Sequence, residues 1–151
     1  AFVESALGVA MWLTVAFLVG PLAFLFVFAI PLVLANVIVM AFILTNHGLS
    51  PLTPKVNDVL VNSLSVTLPR PLVFLTLGFG YHVEHHMFPA MSPRHAPLVR
   101  DRILAHWPER YQSMPLTSAL AALHRTARVY RDQTTLTDPR SGAVWPTLLP
   151  R

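Results

Sequence analysis

The segment Gly80-Tyr81-His82-Val83-Glu84-His85-His86-Met87-Phe88-Pro89 sets three histidines around one carboxylate. On a helix, residues three and four apart share a face, so His85 and His86 both fall near His82 one turn on and the three imidazoles can converge. Neutral imidazole ligates iron, zinc, copper or nickel, so the spacing suits a metal without naming it. A zinc-protease helix needs Glu directly after its first His and the second His four residues on; Val83 stands where that Glu would be, and the signature is absent. The chain has no cysteine, which excludes disulfides, thiolate-zinc sites, iron–sulfur clusters and a cysteine nucleophile within it. Any metal must therefore be held by His, carboxylate or amide. Glu84 falls on a different helix face from the histidines, where it either accepts a ring N–H from a neighbouring imidazole or joins a surface ion pair.

The elements that must position this cluster are largely apolar. Hydrophobic residues make up 54% of the 151 and charged ones only 12%, outside the usual balance of a soluble domain. From Ser5 to Asn46 no side chain is charged, a run about twice the roughly 20 residues that a bilayer-spanning helix requires. Gly20-Pro21 breaks it near the middle, because Pro has no N–H to donate and Gly tolerates turn geometry. The pattern predicts a transmembrane hairpin of Ala6 to Val19 and Leu22 to Thr45. Pro31 lies inside the second span, where a kink is tolerated, and the Asn36 amide there needs a partner, most simply in interhelical packing.

After the hairpin comes a turn-rich exit, His47-Gly48-Leu49-Ser50-Pro51, and then a stretch to Gly80 divided by Pro69 and Pro71. Pro71 to Gly80 is too short to span and is expected at the membrane interface or under the metal site. Beyond Pro89 the composition is soluble. Ser92-Pro93 reads as an N-cap with Pro at the first helical position, opening a helix to Trp107. A second helix should follow Pro115, with Leu116, Leu120, Leu123, Ala127 and Tyr130 on one face and Arg125, Arg128 and Arg131 turned to water or headgroups. Thr134 to Arg151 shows turn-formers and no periodicity, and reads as loop or disorder. All eleven Lys and Arg residues come at or after Lys55. That asymmetry suggests membrane topology more than nucleic-acid binding and puts the part after the hairpin in the cytoplasm. The start, Ala1-Phe2-Val3-Glu4, has neither an initiator Met nor a basic n-region, and reads as mid-protein more than as a signal peptide.

His82-Val83-Glu84-His85-His86, continued by Met87-Phe88-Pro89, resembles the third histidine box of the membrane fatty acid desaturases. The upstream hairpin, the Gly80-Tyr81 entry and the Asn46-His47 pair at the end of the last span agree with that resemblance, which runs loosely from Ala6 to Trp107. It implies that His82, His85 and His86, with His47 as an additional ligand, hold iron in a di-iron centre. It also implies that molecular oxygen is the co-substrate and that two hydrogens leave neighbouring methylenes of an acyl chain. The expected partners are an acyl-lipid, acyl-CoA or acyl-carrier substrate, membrane lipids, and an acidic electron donor such as a ferredoxin or a b-type cytochrome that docks on the Arg-rich cap. The family's first two histidine boxes have no counterpart here, so the chain is expected to be a C-terminal part, inactive alone.

The expected fold is an all-α membrane protein, a transmembrane helical hairpin followed by a cytoplasmic helical cap. Its parts are the hairpin (1–46), the third-box region (47–91), the cap helices (92–133) and a tail (134–151). Related hydroxylases and carotenoid oxygenases share such boxes, and a non-enzymatic zinc-binding membrane protein is the rival from another class. The plainer readings favour Asn46 as a helix cap and His95, His106 and His124 as surface or packing residues.

Overall fold

The structure, a computed structural model, describes residues 2–53, 58–126 and 129–148. Lys55, Ala127, Arg128 and Arg151, used above for charge placement and helix periodicity, lie outside them. Two compact units divide the chain, residues 1–40 and 41–151.

In the first unit, helix α1 (Phe2–Val19) buries none of its residues. At about 1.5 Å per residue it is about 27 Å long. Gly20 adopts φ 85°, a conformation that costs glycine little, and Pro21 opens the returning helix α2 (Pro21–Phe24). The chain doubles back there: Trp12 stacks on Phe28 with ring centroids 3.8 Å apart and touches Phe24 at 6.4 Å. The break falls where the sequence places it, and α1 and the run Pro21–Gly48 are both long and apolar enough to cross a membrane. A π-helical turn, Leu25–Ala29, precedes α3 (Ile30–Gly48). Its cause is Pro31, which has no N–H for the carbonyl of Val27 and whose ring would collide with it in a regular α-turn. Asn36 finds a partner within its own helix. Its Nδ2 donates to the Leu32 carbonyl at 3.0 Å, one turn back, because that acceptor is always within reach.

In the second unit, α3 delivers Phe42 to a core with Leu49, Leu64, Val66, Ala119 and Leu123. A second cluster joins Leu60, Val83 and Ile103. The elements are α4 (Val59–Asn62), β1 (Ser65–Thr67), α5 (Arg70–Leu75), α6 (His82–Met87), a 3₁₀ turn (Pro93–His95), α7 (Ala96–His106), β2 (Ser113–Pro115) and α8 (Leu116–Arg125). β3 (Val129–Tyr130), β4 (Thr135–Thr137) and β5 (Val144–Pro146) follow. β1 pairs in parallel with β2, Ser65 opposite Ser113, while β3, β4 and β5 form an antiparallel sheet. No third span occurs among the described residues.

Two expectations need correction. The fold is not all-α, since five short strands are present among the described residues. Residues 134–148 are not loop throughout either: β4 and β5 pair within them, Leu136 is buried, Leu148 N–H donates to Leu49 at 2.8 Å and Leu52 N–H donates to Gln133 at 2.8 Å. Strands of two or three residues are too short to display alternation. α8 ends at Arg125, and Tyr130 belongs to β3, where its hydroxyl donates to the Ser50 carbonyl at 2.7 Å.

Candidate metal centre

Helix α6 carries the histidine cluster, and β1 sets its entry. Val66 N–H donates to the Gly80 carbonyl at 2.9 Å, and a Cβ on Gly80 would lie 2.5 Å from the Val66 oxygen. Only glycine permits so close an approach. At the far end Phe88 N–H donates to the Glu84 carbonyl at 3.0 Å, and Pro89 cannot continue the helix.

His47 arrives from the last turn of α3. Its Nδ1 lies 3.3 Å from the Asn62 carbonyl, and Asn62 is held by α4, whose first turn is capped by Asp58 at 3.1 Å from Leu60 N. An Nδ1–H donated to that carbonyl leaves the Nε2 lone pair free, the arrangement that orients a ligating histidine.

Three ring nitrogens meet. His82 Nε2 is 2.7 Å from His47 Nε2, His86 Nε2 is 2.9 Å from His82 Nε2, and His86 Nε2 is 3.3 Å from His47 Nε2. Each Nε2 carries either a hydrogen or a lone pair, so at least two of the three must play the same part and repel. A cation facing three lone pairs removes that conflict, and the donor set therefore suits a metal. The neutral form is favoured as well. Burial first, then the neighbouring His47, His86 and His85, push the pKa of His82 down to about 3. Burial, followed by His47 and His85, also lowers that of His86.

His47, His82 and His86 form the one group of this kind among the described residues. His85 stands outside it, with its ring 6.4 Å from that of His82 and 5.9 Å from that of His86. All four histidines line a cavity of about 610 Å³ whose other walls include Ile43, Leu77, Phe79, Met91 and Pro93. His95 accepts from Arg94 Nε at 3.1 Å, and His106 Nδ1 lies 2.8 Å from the Arg102 carbonyl. Neither they nor His124 approach the cluster.

Glu84 answers to neither sequence expectation. It is fully buried, and its oxygens accept from Ser65 Oγ at 2.6 Å and Tyr111 Oη at 2.5 Å, not from an imidazole or a surface cation. Burial, then the adjacent Glu84, raises the Tyr111 pKa. Asn46 is not a cap. Its side chain is buried inside α3 without a hydrogen-bond partner among the described residues, while its carbonyl accepts Leu64 N–H at 2.9 Å. Ser65, Tyr111 and the Asn62 carbonyl escaped sequence reasoning, because no spacing links them to the histidines.

The family model for fatty acid desaturases matches residues 1–118. A human sphingolipid delta(4)-desaturase/C4-monooxygenase is 36% identical over 70 residues, which cover 40% of this chain and 22% of that protein. This chain thus matches about a fifth of its relative's length. No solved structure matches at a significant level.

Proposed function

The chain belongs to the fatty acid desaturase family, and from that premise we propose that it supplies one side of a histidine-ligated di-iron centre for oxygen-dependent desaturation of a fatty acyl chain. The observation that carries this reading is the meeting of three Nε2 atoms, from His47, His82 and His86, within 3.3 Å of one another. These residues would hold one iron. His85, turned aside on the same cavity wall, would face the second, with the remaining ligands coming from histidine boxes outside this chain.

Bound iron would supply oxygen activation and hydrogen removal from methylenes, chemistry that side chains alone do not perform. The chain's own part is to bind and place. Ile43, Leu77, Phe79 and Met91 give the cavity an apolar wall against which an acyl segment can lie beside the imidazoles. The Nδ1 contact of His47 with the Asn62 carbonyl fixes that ring. α1 and the run Pro21–Gly48 would anchor the protein in the bilayer, with the metal site and the basic C-terminal region on the cytoplasmic side. An acidic electron donor would dock on that basic region.

A hydroxylating outcome is the second reading, favoured by the relative's name, which joins desaturase and monooxygenase. The test is iron per polypeptide, in mild detergent, for this chain and for the natural full-length protein. Two irons in the full-length protein and fewer in this chain are expected. No iron in either, or stoichiometric zinc alone, overturns the reading, and product analysis of the full-length protein separates a double bond from a hydroxyl.

A further inference from the structure

The carboxyl of Glu84 has been placed where it cannot touch metal or substrate. At 100° per residue, His82 and His86 lie about 40° apart around α6, and Glu84 points away from their midline. That buried face is costly for a carboxyl unless its oxygens are satisfied, and both are. Ser65 Oγ, from β1, donates to one at 2.6 Å and also accepts Val83 N–H at 3.0 Å. Tyr111 Oη, two residues before β2, donates to the other at 2.5 Å. The Tyr111 ring is in turn covered by the Arg100 guanidinium of α7, 5.8 Å from its centroid.

We propose that Glu84 is a positioning residue for the metal centre, a two-pronged anchor that fixes the roll of α6 so that His82 and His86 meet His47. The proposal rests on the metal reading above. A helix of six residues has no stability of its own, so its orientation is set by what grips it. Gly80 grips its entry through the backbone, and the buried Val83 packs against Leu60 and Ile103, contacts that lack the directionality of a hydrogen bond. A roll of about 10° moves an atom at the helix's outer radius by about 1 Å, beyond the roughly 0.5 Å tolerance of a preorganised site. The two hydroxyl contacts on the opposite face resist that motion, because one comes from β1 and the other from the segment leading into β2.

The experiment uses the natural full-length protein in detergent, with iron retention against a chelator and the iron Mössbauer spectrum as readouts. Glu84→Leu keeps the bulk and removes both acceptors; Tyr111→Phe removes one hydroxyl and leaves the ring. Expected are a roughly 10-fold or greater loss of iron affinity for the first, a smaller loss for the second, and a changed spectrum in both for protein that still elutes as folded. Glu84→Gln, which retains one acceptor, should recover part of the loss. If the folded fraction of Tyr111→Phe and of any folded Glu84 variant keeps wild-type affinity and spectrum, the proposal is overturned. Should Glu84→Leu fail to fold, Tyr111→Phe and Glu84→Gln decide by the same criteria. Wild-type protein without iron would instead overturn the metal reading itself.

Discussion

Residues 2–40 turn their apolar side chains outward, Phe17 and Val27 among them, and α1 buries nothing. Residues 41–148 enclose a core, and among what they bury are polar groups with partners: Thr45, Ser63, Ser65, His82 and Glu84. In hydrocarbon the first region would need no specific partner, since that solvent rewards any apolar surface and asks only that backbone groups be paired. The second is held by specific partners, since a buried polar atom that loses its partner costs about 1–3 kcal/mol. Tolerance to substitution should differ accordingly, being chemical in the first region and geometric in the second.

The comparison breaks most sharply with a charge. Val37→Arg, mid-span and outward-facing, should cost about 3 kcal/mol of insertion free energy, read as the membrane-inserted fraction in a translocation assay; full insertion would mean that this helix does not face lipid. Next comes a single methyl. Gly80→Ala places carbon against the Val66 oxygen and should destabilise by about 1–3 kcal/mol, visible as a lower unfolding temperature in detergent. An unchanged midpoint would show that β1 does not grip the entry to α6. The smallest effect belongs to the first region again: Phe26→Leu, exposed in the hairpin, should stay within about 0.5 kcal/mol, and a larger shift would reveal a specific contact there.

Legibility in the sequence follows the same division. The hairpin could be read because an uncharged run interrupted by Gly20-Pro21 needs only composition and punctuation to interpret. The pairing of His82 with His86 was legible from helical spacing, but the divergence of His85 was not. Residues three and four on from His82 lie on opposite sides of it, so a partner approaching from one side selects one of them, and only the fold tells which. His47 was reachable through resemblance alone. Ser65 and Tyr111 are ordinary hydroxyls far away in the chain, and their meaning appears only when Glu84 closes on both. Three-residue strands such as β4 and β5 left no pattern to find.

The pairing of Ser65 with Ser113 also imposes a timetable. A chain emerges from the ribosome at about 5–20 residues per second, so α6 is exposed seconds before the strand that completes its support has emerged. The apolar hairpin is made first, whereas the buried face of α6 gains its Tyr111 contact only when the segment leading into β2 arrives. A ribosome stalled before residue 113 would then hold α6 without the strand that completes its support.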